Sequence, residues 1–180
     1  LVPYYAWNNR KPGSMTIWFP TTSKLAVFDP HKLPKESIFK TIKASHTSDL
    51  DTLSAIGDGK EPRWSSGKKV PRWTSRPQLG KKQWVEGYFA KPRKVRDVGV
   101  YWMQDQQDVK FPKEWSLEVR KEGKWTPFKL YVTDRYDNRA NQYNVVHPAA
   151  PLTCDAIRIK MTPREEAAVG ILEVKVKFED

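Results

Sequence analysis

One stretch of alternating side chains, from Gln83 to Met103, constrains the fold of this chain more strongly than any other. Successive side chains of an extended backbone point to opposite faces, so alternation at every second position predicts half-buried strands. The basic segment at 91–94 interrupts the alternation, and its Pro92 cannot donate to a strand ladder. We therefore predict two strands joined by a short turn. In the first strand Val85, Gly87 and Phe89 lie on one face. In the second strand Val98, Val100 and Trp102 lie on one face.

The rest of the chain repeats this alternation in short segments separated by polar or glycine-containing turns. No long amphipathic helix is indicated, although residues 49–56 allow a short helical turn capped by Ser48 or Asp49. Many short strands with spaced turns are typical of an all-β fold, an antiparallel β-sandwich. The other predicted strands lie at 37–44, 115–119, 125–132, 143–146, 157–161 and 172–178.

The pattern of the amino-terminal segment, residues 1–20, predicts a separate strand, turn and strand. A connector rich in Pro, Thr and Lys follows it. Since a chain of 180 residues buries one good core, we predict a hairpin and linker at 1–36, as the remnant of a preceding domain, and a sandwich at 37–180. A hairpin alone is marginally stable in water, so we expect it to pack on the sandwich or on another chain. The chain begins in mid-pattern, which suggests a piece of a longer protein whose targeting signal lies elsewhere.

The composition argues against several classes of protein. The single cysteine, Cys154, rules out a disulfide within the chain, and three scattered histidines make a zinc cluster implausible. We expect Cys154 to be a small buried apolar residue. No local pattern marks a catalytic triad, and no apolar run reaches the roughly 20 residues of a membrane span. We therefore expect a non-catalytic protein without a membrane span.

Basic residues are concentrated between Lys60 and Lys82, where eight of them face one acid, Glu61, within a formal net charge of +11. Such a segment can attract nucleic acid, anionic lipid or acidic polysaccharide. It can equally be a solvated loop. No finger, helix-turn-helix or aromatic platform accompanies the charge, so a basic nucleic-acid or anionic-surface binding module is kept as the alternative function.

The order of several motifs from about residue 43 to residue 178 resembles the discoidin, or coagulation factor V/VIII type C, modules. The resemblance implies a galactose-binding-like jelly roll. It also implies a carbohydrate-associated function without catalytic residues. The matching motifs are Ala44-Ser45-His46, Ile56-Gly57-Asp58-Gly59, Arg72-Trp73-Thr74-Ser75, Gln83-Trp84-Val85, Val98-Gly99-Val100-Tyr101-Trp102, Trp115-Ser116-Leu117-Glu118-Val119, Gly123-Lys124-Trp125, Ala156-Ile157-Arg158-Ile159 and Gly170-Ile171-Leu172-Glu173-Val174.

A second resemblance lies in the amino-terminal segment, LVPYYAWNNRKPGSMTIWFP. It is similar to the segment that closes the catalytic region of bacterial beta-L-arabinofuranosidases, in which sandwich domains follow a helical barrel. The resemblance implies an accessory domain of a bacterial, extracytoplasmic glycoside hydrolase. Its partners would be the parent's catalytic domain and a plant-type or arabinose-containing glycan. The module would either bind the glycan or brace the catalytic domain. No residue here matches the catalytic acids or the zinc-bound cysteine of that family.

Two acidic residues, Asp58 and Glu173, match positions that resemble the structural calcium site of the discoidin modules. Calcium accepts several oxygen ligands in loose geometry, so carboxylates with loop carbonyls would suit it. In the other interpretation Asp58 makes a turn hydrogen bond and Glu173 is a solvated strand residue. Calcium is therefore a possible structural cofactor.

Candidate ligand-binding residues lie in the three long polar loops, because strand faces are committed to the core. Trp64 is placed in a polar loop between Arg63 and Ser65-Ser66, where its ring could stack on a sugar. The alternative is that Trp64 closes the loop onto the body of the domain. The basic insert that contains it separates Asp58-Gly59 from Trp73, a departure from the discoidin pattern. The polar candidates are Arg76, Arg135, Tyr136 and Asn141.

Overall fold

The computed structural model describes residues 32–67 and 70–179, together with the backbone of a short strand pair in the amino-terminal segment. A 3-10 turn occupies Leu53–Gly57, and the described part of the chain contains no α-helix, which confirms the predicted all-β class. No helix of this part is long and apolar enough to span a membrane. The strands are β1 (Tyr5–Ala6), β2 (Thr16–Ile17), β3 (Thr41–Ala44), β4 (Trp73–Thr74), β5 (Gln83–Met103), β6 (Glu114–Lys121), β7 (Lys124–Pro127), β8 (Tyr143–Val146), β9 (Leu152–Thr162) and β10 (Gly170–Phe178).

Strands β3 to β10 form two antiparallel layers that share β5. The first layer has the order β3, first half of β5, β9, β6, β7. The second layer has the order β4, β10, second half of β5, β8. The inward side chains of both layers meet in one core, which is the predicted antiparallel sandwich.

The predicted turn at 91–94 is wrong. Residues 83–103 form one continuous strand that leaves the first layer and enters the second. Its pairing with β9 shifts register between Tyr88 and Arg93, so the segment with Pro92 absorbs the change of layer as an irregularity instead of reversing the chain. The alternation on each side of it was predicted correctly: Val98, Val100 and Trp102 are fully buried between the layers.

Other element boundaries moved by a few residues. The predicted cap at Ser48 or Asp49 is wrong, because the 3-10 turn begins at Leu53 after Thr52, which makes no capping hydrogen bond. Strand β3 is shorter than predicted, and β7 ends at Pro127. The turn between β6 and β7 was found correctly: Glu122 and Gly123 have positive φ of 51° and 78°, which glycine-containing hairpin turns require.

Large apolar side chains from both layers fill the core. Trp102 packs edge-to-face on Trp115 with ring centroids 5.2 Å apart. Cys154 is buried, as predicted, and burial with the nearby Asp155 charge raises the pKa of its thiol to about 12. Gly87 leaves room for Phe39, whose ring carbon Cε1 lies only 2.2 Å from where a Cβ would be placed.

The amino-terminal strands β1 and β2 pair antiparallel, with Tyr5 opposite Ile17 and Ala6 opposite Thr16. This pairing agrees with the predicted hairpin. The predicted packing of that hairpin on the sandwich lies outside the described residues. The division at residue 36 stays a prediction.

Candidate functional site

The loop that carries Trp64 is fastened to the loop before β8 by a reciprocal pair of hydrogen bonds. The amide of Ser65 donates to Asn141 Oδ1 at 2.8 Å, and the amide of Asn141 donates to Ser65 Oγ at 2.9 Å. The carbonyl of Ser65 also accepts from the amide of Gln104 at 3.0 Å. Since Ser65 is buried, the loop is held at a fixed point beside the exposed Trp64.

The indole of Trp64 is 54% exposed. The guanidinium of Arg63 lies 5.5 Å from the ring centroid, a cation–π contact that limits the movement of the ring. An exposed tryptophan on a fastened loop is the arrangement that a stacking platform needs, because little side-chain freedom remains to be lost on binding.

A buried asparagine, Asn144, shapes the loop that contains Asn141. Its Oδ1 accepts from the amide of Arg139 at 2.6 Å, and its Nδ2 donates to the carbonyl of Arg139 at 3.0 Å. Asn141 itself has φ of 59°, a left-handed conformation that asparagine tolerates better than most residues. The side-chain Nδ2 of Asn141 has no partner among the described residues.

Arg135 lines a polar depression of about 220 Å³ next to this loop. Gln142, Tyr143 and Asn144 form part of the same wall. Arg135 and Asn141 lie on one loop, which joins β7 to β8. The Arg135 side chain is exposed and has no hydrogen-bond or ion-pair partner in the described part of the chain. It is therefore free to contact a ligand.

Tyr136 faces the core and not this depression. Its ring packs on Trp115 with centroids 4.8 Å apart. Its hydroxyl accepts from the amide of Leu117 at 3.2 Å and donates to the carbonyl of Phe128 at 3.3 Å. The residue braces the loop, and the structure gives it no ligand-facing group.

Arg76 is likewise committed to an internal contact. Its guanidinium pairs with Asp105 and lies 2.5 Å, Nε to Oδ1, from Asp108. The carbonyl of Arg76 is 2.7 Å from His46 Nε2. Burial alone would raise the pKa of Asp105. Its carboxylate accepts hydrogen bonds from backbone amides and from Arg76, and these lower the pKa below its ordinary value. Arg76 ties two loops together instead of facing solvent.

The basic segment from Lys60 to Lys82 is partly neutralised by acids that lie outside it. Arg72 Nε donates to Asp51 Oδ1 at 2.8 Å, and Lys60 Nζ lies 3.4 Å from Asp58 Oδ2. Together with the Arg76 contacts, these pairs give acidic partners to three of the eight basic residues of the segment, within the part of the chain that the structure describes.

Asp58 and Glu173 do meet, as the resemblance implied. The amide of Gly59 donates to Glu173 Oε2 at 3.1 Å, and the two carboxyl groups are within hydrogen-bonding reach. Glu173 is only 2% exposed. Burial, and then the charge and hydrogen bond of Asp58, raise its pKa to about 9. The interpretation of Glu173 as a solvated residue is therefore wrong.

Two adjacent carboxyl groups in a buried position could supply some of the oxygen ligands of a cation. No group of three or more His, Cys, Asp or Glu side chains that could hold a metal occurs among the described residues. Further ligands would have to be backbone carbonyls, which suit calcium but not zinc. Lys60 competes for Asp58 by supplying its own positive charge.

Sequence reasoning found the exposed residues but missed those that hold them. Ser65 and Asn144 have no spacing or motif that separates them from ordinary loop residues. The signal that could have found Ser65 is its place beside Trp64 in a loop that otherwise lacks apolar anchors.

A jelly-roll sandwich that presents exposed polar and aromatic side chains on loops defines a class of binding modules. The profile described as F5/8 type C domain matches residues 41–174. This match spans more than half of the chain, so the chain belongs to the F5/8 type C domain family. The profile of the glycoside hydrolase family 127 C-terminal domain matches residues 1–20. Both matches agree with the resemblances drawn from the sequence.

Solved structures with the same fold include carbohydrate-binding modules. The Streptococcus pneumoniae beta-galactosidase BgaA gives a TM-score of 0.67 at 18% identity, covering 83% of this chain and 97% of that chain. The family 32 module of Clostridium perfringens NanJ, in complex with galactose, gives 0.58 at 16% identity over 76% and 91%. Chitosan-binding module 1 of a Paenibacillus chitosanase/glucanase gives 0.58 at 18% identity over 78% and 96%.

The chain thus has the fold of carbohydrate-binding modules that are found appended to glycoside hydrolases. These matches give no support to a nucleic-acid-binding module. A comparison with curated protein sequences finds no match.

Proposed function

We propose that this chain is a non-catalytic glycan-binding module that keeps a parent glycoside hydrolase on its polysaccharide. The observation that carries the proposal is the exposed Trp64 ring on a loop fastened by Ser65 and Asn141. A ring of this kind stacks on the apolar face of a pyranose or furanose, while neighbouring polar groups hydrogen-bond its hydroxyls.

Arg135 and Asn141 supply the polar contacts in this proposal. Both have side-chain donors without partners in the described part of the chain, and both lie on the loop between β7 and β8. Arg76 and Tyr136 act through the loops that they brace. The site would be shallow, with one ring and few hydrogen bonds, so we expect a dissociation constant on the order of 0.1 to 1 mM.

The amino-terminal match supports our choice of ligand class. Because residues 1–20 match the glycoside hydrolase family 127 C-terminal domain, we propose an arabinose-containing plant glycan as the ligand. We also propose a bacterial hydrolase that acts outside the cytoplasm as the parent.

Titration calorimetry with neutral arabinan fragments, which carry no uronic acid, tests the proposal. We expect Trp64→Ala to weaken binding by about tenfold or more, which corresponds to about 1.4 kcal/mol. Tyr131→Ala is the matched control, because Tyr131 is a loop aromatic with a similar exposure of 50%. Equal binding by the parent chain and Trp64→Ala would reject the site.

A bracing role is the second candidate, and the match of residues 1–20 to a segment of a glycoside hydrolase favours it. In that role the module stabilises the catalytic domain and binds no sugar. Absence of heat with every glycan, together with a lower melting temperature of the parent enzyme when the module is deleted, would support bracing over binding.

We also propose that calcium binds to this module as a structural ion. Asp58 and Glu173 would hold it with loop carbonyls, and its charge would let both carboxyl groups ionise in their buried setting. Its role would be to fix the loop that leads into the Trp64 segment.

A further inference from the structure

A groove of about 270 Å³ opens on the outer face of the first layer, at the end where β5 and β6 begin and β9 ends. The strand register builds it: Trp84 lies opposite Lys160, which lies opposite Ser116, and Glu114 lies opposite Thr162. Lys82 precedes the first of these strands and completes the rim. The groove does not share a face with the Trp64 loop, whose Glu61 accepts from Tyr143 on the second layer at 3.1 Å.

Most polar side chains of this groove have no protein partner. Within the described residues, the side chains of Lys82, Glu114, Ser116 and Thr162 make no hydrogen bond or ion pair. Four side chains with hydrogen-bonding groups and no partners therefore converge on one depression.

The neighbouring row across the same strands is fully paired. Arg158 bonds Glu86 Oε1 through Nη2 at 2.7 Å and Glu118 Oε2 through Nη1 at 2.9 Å. Lys160 Nζ reaches the other oxygen of Glu118 at 2.9 Å. The contrast shows that an unpaired outer face is not a general property of this sheet.

Trp84 forms the apolar wall of the groove on a rigid support. It is partly exposed, and the guanidinium of Arg158 lies 5.8 Å from its ring centroid. Arg158 is also covered by the ring of Trp125 at 4.0 Å. Because two carboxylates of the sheet hold Arg158, its contact with Trp84 limits the movement of the indole before any ligand binds.

The rim carries two cations, Lys82 and Lys160, and one acid, Glu114, and this balance favours an anionic ligand. Lys82 has no counter-ion in the described part of the chain, and Lys160 shares its partner with Arg158. A carboxylate on the ligand would supply the missing partner, and the carboxylate of Glu114 with the hydroxyls of Ser116 and Thr162 suits sugar hydroxyls.

We infer that this groove is a second glycan site, which takes an acidic oligosaccharide that contains uronic acid residues. Trp84 stacks on a sugar ring, Lys82 pairs with the uronate carboxylate, and Glu114, Ser116 and Thr162 bond its hydroxyls. The site acts independently of Trp64.

Nuclear magnetic resonance titration of the complete chain with a short oligogalacturonate tests this inference. We expect the indole N–H signal of Trp84 to shift, and Lys82→Glu to weaken binding about tenfold. Lys121→Glu makes the same charge change at an exposed residue outside the groove and should leave binding within about twofold. Since Lys82 is exposed and has no partner in the described part of the chain, its replacement should not disturb the fold.

Two further arms separate this site from the one at Trp64. Trp64→Ala should bind oligogalacturonate as the parent does, and a neutral galacto-oligosaccharide of the same length should bind the groove at least about tenfold more weakly. Equal loss in Lys82→Glu and Lys121→Glu, loss of uronate binding in Trp64→Ala, or equal affinity for the neutral sugar would each overturn the inference.

Discussion

The amides of Ser65 and Asn141 each donate to the other residue's side chain, at 2.8 and 2.9 Å. The residues are 76 positions apart, so this pair closes a long excursion of the chain at one point. It fixes the place from which Trp64 projects. The stability of the loop and the affinity for glycan should therefore change together.

Replacing Asn141 should destabilise the protein through an unpaired buried amide. Asn141→Gly removes the acceptor of the Ser65 amide and should cost about 1–3 kcal/mol in the free energy of unfolding. Asn141→Ala should cost roughly 1 kcal/mol more, because φ of 59° is unfavourable for alanine. Urea denaturation measures both. Asn141→Asp keeps the oxygen acceptor and is the control. Parent-like stability of Asn141→Gly would show that the hydrogen bond contributes nothing.

The stability of the protein without calcium should fall as pH rises from about 4.5 to about 9, because burial and Asp58 raise the Glu173 pKa in the folded state. A raised pKa means that the folded state binds the proton more tightly than the unfolded state. The stabilisation is complete below about 4.5 and is lost as pH approaches 9. Melting temperatures in chelator at a series of pH values measure it.

Glu173→Gln should flatten this pH dependence, since glutamine does not titrate. Glu114→Gln, at an exposed carboxylate without a partner in the described residues, should follow the parent. A parent profile that stays flat from pH 5 to pH 9 would contradict the buried carboxyl pair.

Calcium should raise the melting temperature of the parent chain at neutral pH, because an ion that binds only the native state stabilises it by mass action. Asp58→Asn and Glu173→Gln should abolish the shift. Magnesium, which prefers a smaller octahedral site, serves as the control ion. A transition unchanged by chelation and by added calcium would remove both residues from the metal site.

Gly87→Ala should destabilise the core, because the new Cβ would lie 2.2 Å from Phe39 Cε1. Phe39 is buried and stacks on Phe89 with centroids 5.8 Å apart, so it cannot move without cost. We expect a loss of about 1–3 kcal/mol by chemical denaturation. Phe39→Leu in the same chain should recover part of that loss. Additive effects of the two changes would show that the clash is not the cause.

Much of the fold could be predicted from the sequence, because alternation of side chains is a local property of the backbone. Val98, Val100 and Trp102 had to share a face whatever the sheet around them. The same rule placed Trp84, Glu86 and Tyr88 on the opposite side from Val85. The exposure of Trp64 and Arg135 could also be predicted, since side chains in polar loops are not committed to the core.

The course of the long strand at Pro92 depends on packing between segments that are distant in sequence. A local pattern shows that pairing is interrupted there, but whether the chain reverses or changes layer depends on β9, which lies some 60 residues away in the pairing of Arg93 with Cys154. The roles of the polar candidates were decided in the same way. Tyr136 and Arg135 are neighbours in sequence, yet one packs on Trp115 and the other faces solvent.

The local sequence defines which residues of a strand can share a face, because the period of an extended backbone is fixed by its geometry. Tertiary packing decided which polar groups found partners. Arg76 forms ion pairs with Asp105 and Asp108, whereas Lys82 has no partner among the described residues. Partners distant in sequence meet only when the layers close, so free and committed side chains cannot be told apart before the fold is known.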